Sequence, residues 1–156
     1  MIPVQYTYST LNSRHFTWIF LLDVTIIADC NGLNSENTTV NRFTKTFHSM
    51  NYPEDYNEGQ ICTWAMRAPP KRRLKLKTFD FIMEDDVSCA GNCCYDYLKI
   101  YNGWSEKSEN EIETLCGKGT QEAIISSGTD ILVKFKSDKQ ITKSGFQIQY
   151  EIISFG

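Results

Sequence analysis

Six cysteines in a chain of 156 residues constrain the fold more than any other feature of this sequence. An even number of cysteines in a small domain is typical of a disulfide framework, which forms in an oxidising compartment. Zinc is the rival interpretation, but the cluster Cys89, Cys93 and Cys94 lacks the paired C-x2-C spacing of structural zinc sites and has no histidine near it. The sequence therefore predicts an extracellular, secreted domain.

An N-glycosylation sequon points to the same compartment. The motif Asn37-Thr38-Thr39 is the only one in the chain and lies in a polar stretch from Asn34 to Asn41. Such a stretch is typical of a surface loop, where an acceptor asparagine is accessible. We therefore predict glycosylation at Asn37.

Composition and motifs exclude several classes of function. Sixteen Lys and Arg against 19 Asp and Glu leave a net charge of −3, which provides no positive field for nucleic acid or an anionic membrane. No apolar run reaches the roughly 20 residues of a membrane-spanning helix. His15 and His48 are the only histidines, and no H-E-x-x-H, G-x-S-x-G or complete phosphate-loop motif occurs. The sequence predicts a protein that is not an enzyme.

The first 29 residues contain no cysteine and differ in character from the rest. Arg14 and His15 precede an apolar stretch over 16–22, and Ala28 offers a small residue at a cleavage point, as in an imperfect secretory signal. A linker is the alternative. We predict a signal-like leader or linker over residues 1–29, a domain over 30–152 and a C-terminal tail over 153–156.

Apolar and polar residues alternate along most of the chain after Cys30, with turn residues between the segments. The side chains that share one face of each segment are Cys62, Trp64 and Met66; Leu74, Leu76 and Thr78; Asp96, Leu98 and Ile100; Ile131, Val133 and Phe135; and Phe146, Ile148, Tyr150 and Ile152. This period of two is typical of antiparallel sheets with one buried face. Phe43 and Phe47, on either side of Lys45, indicate a further short strand. Short strands separated by turns predict an all-β, antiparallel, two-sheet sandwich.

A set of motifs occurs in a fixed order from Cys30 to about Glu151. They include Asn51-Tyr52-Pro53-Glu54-Asp55-Tyr56, Cys62-Thr63-Trp64, Ala68-Pro69-Pro70, Phe81-Ile82-Met83-Glu84, Cys93-Cys94-Tyr95-Asp96-Tyr97, Cys116-Gly117, Phe135-Lys136-Ser137-Asp138 and Gly145-Phe146. Each motif alone is loose, but their order and spacing together resemble the CUB domain. This family consists of extracellular β-sandwich modules with a jelly-roll-like fold, and the resemblance implies that fold here.

The resemblance also implies two disulfide bonds, Cys30 with Cys62 and Cys93 with Cys116. It leaves Cys89 and Cys94, which the usual family pattern lacks. Because adjacent cysteines on an extended chain point to opposite faces, Cys93 and Cys94 need different partners. A bridge from Cys89 to Cys94 would close a tight loop; the alternative joins Cys94 to Cys116 and Cys89 to Cys93. We favour the first.

Three acids carry the resemblance to the calcium-binding branch of the family. The resemblance implies that Glu84, Asp96 and Asp138 lie together at one end of the sandwich and ligate one Ca²⁺ ion. Three carboxylates suit this cation, which takes six to eight oxygen ligands. The alternative is that they are ordinary solvated acids, with Asp85 and Asp86 as decoys or substitutes.

The expected function is calcium-dependent binding of an extracellular protein. By resemblance, an exposed Lys or Arg of the partner would pair with Glu84 and Asp96, and Tyr56 would be an aromatic residue at the rim of the interface. The alternative for Tyr56 is packing beneath its own turn.

Two other functions are consistent with the sequence. CUB-like domains accompany protease domains, so the chain could be a non-catalytic part of a secreted astacin-like or complement-type protease. Binding of glycosaminoglycan or other carbohydrate is the third hypothesis, because Arg73, Lys75 and Lys77 would line up on one face of a strand, next to Lys71 and Arg72. A solvated outer face explains this basic stripe equally well.

Overall fold

The alternating segments form β-strands in the structure, a computed structural model that describes residues 23–155. Within this range the strands are β1 Thr25–Cys30, β2 Leu33–Asn34, β3 Val40–Asn41, β4 Thr46–His48, β5 Ile61–Arg67, β6 Arg72–Leu76, β7 Phe79–Ile82, β8 Tyr97–Asn102, β9 Glu111–Leu115, β10 Lys118–Gln121, β11 Ile124–Ile125, β12 Asp130–Lys136 and β13 Gly145–Ser154. One α-helical turn, α1 (Glu36–Thr39), follows β2, and 3-10 turns span Val87–Cys89 and Ser108–Asn110.

The strands form two antiparallel sheets. The first has the order β2-β1-β5-β12-β8-β9, and the second has β10-β7-β13-β4-β3. Strand β6 pairs with β13 and with β11. This arrangement confirms the predicted all-β, two-sheet sandwich.

A chain of aromatic rings fills the space between the sheets. The ring centroid of Trp64 lies 5.4 Å from that of Phe47 and 5.7 Å from that of Phe146. The ring of Phe135 extends this row of aromatic rings. Its centroid lies 5.7 Å from that of Phe146, in an edge-to-face arrangement that aromatic pairs favour. Cys62, Trp64 and Met66 of β5 are fully buried, so the predicted face of this strand is confirmed.

Strand β1 begins earlier than the predicted domain boundary at Cys30. It pairs with β5 from Thr25 onwards, and Val24, Ile26 and Ala28 are buried in the core. The apolar run Val24–Ala28 is therefore part of the sandwich, and the exclusion of Thr25–Asp29 from the fold is wrong. At the other end, β13 continues to Ser154, past the predicted limit at residue 152. The remainder of the leader hypothesis concerns residues 1–22, which lie outside the described range.

The strand predicted around Phe43 and Phe47 is correct for only one of these residues. Phe47 is buried in β4, whereas Phe43 lies in a turn and is 97% exposed. The side chain of Asn41 accepts hydrogen bonds from the backbone N–H groups of Phe43 and Thr44, both at 3.0 Å. Because this local bonding turns the backbone before β4, Phe43 cannot share a strand face with Phe47.

Three disulfide bonds join Cys30 to Cys62, Cys89 to Cys94, and Cys93 to Cys116. These are the two pairs that the family resemblance implies and the favoured local loop. Cys30 and Cys62 lie directly opposite each other in the β1–β5 register. The local loop turns through Ala90 and Gly91, both with positive φ, and glycine adopts that conformation without a steric cost.

Candidate functional site

Three strand ends bring the predicted acids together. Glu84 follows β7, Asp96 directly precedes β8, and Asp138 follows β12. One carboxylate oxygen from each lies within 4.8 Å of the others. The structure therefore places these three residues in one cluster, which we call the acid cluster, at the end of the sandwich where β5 and β8 begin.

Asp96 is the buried centre of the acid cluster and is held in place on both sides. Its Oδ2 accepts a hydrogen bond from the Tyr56 hydroxyl at 2.6 Å, and its Oδ1 accepts one from the backbone N–H of Asp138 at 2.7 Å. The side chain is fully buried. Asp96 therefore has a fixed orientation, and it offers no surface for direct contact with a partner.

Tyr56 supports the cluster from below. Its hydroxyl donates to Asp96 and accepts a hydrogen bond from the backbone N–H of Glu84 at 3.1 Å. Its ring is buried and packs edge-on against Phe135, with the centroids 4.8 Å apart. The prediction of Tyr56 as a rim aromatic is wrong, because residues of the core and the cluster enclose it. Burial also raises the pKa of Tyr56, so the hydroxyl stays protonated and able to donate.

Glu84 carries the unsatisfied group of the site. It is 6% exposed, and within residues 23–155 its Oε2 has no hydrogen-bond partner. Burial raises the pKa of Glu84, and the nearby charges of Asp138 and Asp96 add to the effect. Burial also raises the pKa of Asp96, against the opposing effect of its two hydrogen bonds. An unpaired buried carboxylate is costly unless a cation or donor compensates it.

The donor set suits a hard divalent cation. Three carboxylates converge, two of them are buried, and one buried oxygen lacks a partner. Calcium binds oxygen ligands of this kind and tolerates irregular geometry, with backbone carbonyls and water completing the shell. The residues present therefore fit the ion that the family resemblance implies.

The neighbouring acids Asp85 and Asp86 lie outside the acid cluster. Asp85 is exposed, and Asp86 accepts a hydrogen bond from the backbone N–H of Ser88 at 2.8 Å. This bond begins the 3-10 turn and lowers the pKa of Asp86. Neither residue substitutes for a member of the cluster.

Three residues of the basic stripe contact an acidic side chain, a backbone carbonyl or an aromatic ring. The ammonium groups of Lys75 and Lys77 lie 3.5 and 3.9 Å from the carboxylate oxygens of Glu151 on β13. The guanidinium of Arg73 donates to the backbone carbonyl of Ser154 and lies over the ring of Phe155. These contacts favour the solvated outer face over a glycosaminoglycan site.

Comparison with known proteins identifies the family. The family model of the CUB domain matches residues 35–150, and the chain belongs to this family. It is 36% identical over 104 residues to human tumor necrosis factor-inducible gene 6 protein, and this alignment covers 67% of this chain and 36% of the relative. It is 34% identical over 143 residues to neuropilin-1a of Danio rerio, covering 90% of this chain and 14% of the relative. The chain thus spans about a third or less of these relatives.

A solved structure of a Ca²⁺-bound CUB domain has the same fold. The MASP-1 CUB2 domain bound to Ca²⁺ superposes with a TM-score of 0.60 at 26% identity, covering 72% of this chain and 95% of that one. CUB domains are protein-interaction modules of extracellular proteins and are generally non-catalytic. Among the described residues, no helix has the length and apolar character needed to cross a membrane.

Proposed function

We propose that this CUB domain binds an extracellular protein in a calcium-dependent way, with Glu84, Asp96 and Asp138 holding the ion. The observation that carries the proposal is the buried Glu84 Oε2 without a partner, next to two further carboxylates. A cation at this position would compensate the unpaired oxygen and the repulsion within the cluster. The likeness to a Ca²⁺-bound CUB domain supports the same assignment.

The chain's own residues give the site its order. The Tyr56 hydroxyl and the Asp138 N–H orient Asp96, and Tyr56 fixes the backbone at Glu84. Calcium, when bound, would supply positive charge that neutralises most of the cluster and would link the two loops that carry it, β7–β8 and β12–β13. Without a cation these carboxylates repel one another, so the loops are less stable.

A basic side chain of the partner would dock on the accessible side of this site. Three carboxylates carry one negative charge more than a Ca²⁺ ion neutralises, which leaves an attraction for a single Lys or Arg. Asp138 is the partly exposed member of the cluster, while Asp96 is fully buried. The acceptors in this proposal are therefore Asp138 and the small exposed part of Glu84. Asp96 ligates the ion but does not contact the partner.

Titration of the full chain with CaCl₂ tests the ion site. We expect saturable binding of one ion, and a higher unfolding temperature in calcium than in chelator. Glu84→Gln should abolish both effects. Asp85→Asn removes the adjacent exposed charge without touching the cluster and should retain both. Absence of binding heat and of any thermal shift at millimolar calcium would refute the site.

A peptide probe tests the docking mode. A short peptide with one central lysine, and a matched peptide with norleucine at that position, are titrated in calcium and in chelator. We expect only the lysine peptide to bind, only in calcium, and more weakly as salt rises. Binding that is the same in chelator and in high salt would contradict the proposal.

A position within a longer secreted protease stays a prediction, and the interaction role would be the same in that setting.

A further inference from the structure

The glycosylation sequon lies in helix α1, and folding separates its two functional side chains. Asn37 is exposed, whereas Thr39 is fully buried. Residues two apart on a helix do not share a face. The amide of the sequon thus points to solvent while its hydroxyl lies inside the domain.

The Thr39 hydroxyl is also committed to two hydrogen bonds. It donates to the backbone carbonyl of Ser35 at 2.9 Å and accepts from the indole N–H of Trp64 at 3.1 Å. Trp64 is the fully buried ring at the middle of the core. Exposing the Thr39 hydroxyl would leave the indole N–H unpaired in an apolar environment, which is costly.

Glycan transfer needs both groups of the sequon. The motif is defined by the hydroxyl residue as well as by the asparagine, so the transferase must reach both. In the reaction a bond forms between Asn37 Nδ2 and the anomeric carbon of a lipid-pyrophosphate-linked oligosaccharide. The bond from that carbon to the pyrophosphate oxygen breaks, the lipid pyrophosphate leaves, and the amide proton passes to a base. The folded domain presents only the asparagine to this reaction.

We propose that Asn37 carries an N-linked glycan that can be added only before the domain folds, after which Thr39 serves as the hydrogen-bond partner of Trp64. The exposure of Asn37 leaves room for the glycan in the folded state. Helix α1 connects β2, at the edge of the first sheet, to β3, at the edge of the second. The glycan would therefore stand at an open edge of the sandwich. This inference does not depend on calcium binding.

An acceptor assay tests the order of the two events. The full chain is produced without glycan and presented to microsomal oligosaccharyltransferase with a lipid-linked donor, either folded or reduced and alkylated. We expect the unfolded chain to gain one glycan by mass and the folded chain to react at least tenfold more slowly. Equal rates for the two forms would overturn the proposal, and so would the failure of both forms to react.

Variants secreted from eukaryotic cells, with an added secretion signal ahead of residue 1, separate the two roles of Thr39. We expect Asn37→Gln to lose the glycan with its unfolding temperature close to that of the deglycosylated parent. Thr39→Ser keeps the hydroxyl and should keep the glycan. Thr39→Val should lose the glycan and lower the unfolding temperature. A secreted parent chain whose mass is unchanged by glycan-removing enzyme would refute the inference, even if Thr39→Val does not fold.

Discussion

Replacing Tyr56 with phenylalanine removes one oxygen atom from the support of the acid cluster. That oxygen bonds to Asp96 Oδ2 at 2.6 Å and to the backbone N–H of Glu84 at 3.1 Å. The ring keeps its place against Phe135, so no cavity forms. A hydrogen bond to a charged group contributes roughly 1.5–3 kcal/mol, and we expect Tyr56→Phe to lower the free energy of unfolding by about that amount.

The same substitution should weaken calcium binding. Asp96 loses the donor that orients one of its oxygens, and loss of such a supporting group typically reduces metal affinity by about 10–100-fold. We therefore expect the calcium Kd to rise at least about tenfold, equivalent to about 1.4 kcal/mol.

Urea unfolding in chelator and calorimetric titration with CaCl₂ measure the two effects separately. Tyr150→Phe is the matched control, because it makes the same change at another buried tyrosine. Among the hydrogen bonds of residues 23–155, the Tyr150 hydroxyl donates to none of the three acids. If Tyr56→Phe unfolds within about 0.5 kcal/mol of the parent and binds calcium equally well, the hydroxyl does not support the cluster and the reasoning fails.

Three further changes have distinct expected outcomes. The double variant Cys89→Ser/Cys94→Ser opens the short disulfide loop that lies between Glu84 and Asp96. By the chain-entropy relation it should lower the free energy of unfolding in urea by about 2 kcal/mol, and it should raise the calcium Kd measured by titration. The hydrogen bond from the Arg67 guanidinium lowers the pKa of Asp130 in the folded state. The pair therefore stabilises the fold fully at a pH above the unfolded-state pKa of Asp, about 3.9, and this stabilisation is lost as the pH falls through the folded-state pKa. Asp130→Asn should therefore lower the thermal midpoint slightly at about pH 7 and leave it unchanged at a pH below both values; an equal loss at both would contradict the pairing. Phe43→Ser should change the free energy of unfolding by less than about 0.5 kcal/mol, and a larger loss would mean that this exposed ring packs against the domain.

Much of the fold follows from the sequence because a period of two fixes which side of a strand is buried. Trp64, Val133 and Ile148 are all fully buried on the predicted faces of their strands. The sequence alone does not identify strand β1, because the run Val24–Ala28 has the apolar character of a leader and of a buried strand alike. Only its pairing with β5, a long-range contact, distinguishes the two.

Only the family resemblance predicts the acid cluster. Asp96 and Asp138 are 42 positions apart, and nothing in their local sequence indicates that one donates its backbone N–H to the other. Residue type and spacing within one segment identify strands, but they do not specify which loop ends meet. The unpaired oxygen of Glu84 is likewise a property of the assembled site, since a residue's burial and hydrogen-bond partners depend on the folded chain around it.

Tyr56 shows why the position of an aromatic residue near a functional site cannot be assigned from its type. The loop that carries it is tied to the single loop between β12 and β13. Tyr56 N–H donates to the carbonyl of Lys143 at 2.9 Å, and Gly59 N–H donates to the carbonyl of Asp138 at 2.8 Å. These bonds turn the ring inward, where it joins the aromatic chain of the core at Phe135. The acid cluster and the core are thus one connected structure, because the same side chain packs in the core and bonds to Asp96. A cation held by the cluster would therefore stabilise the whole folded domain, which is why the unfolding measurements test the site as directly as the titrations do.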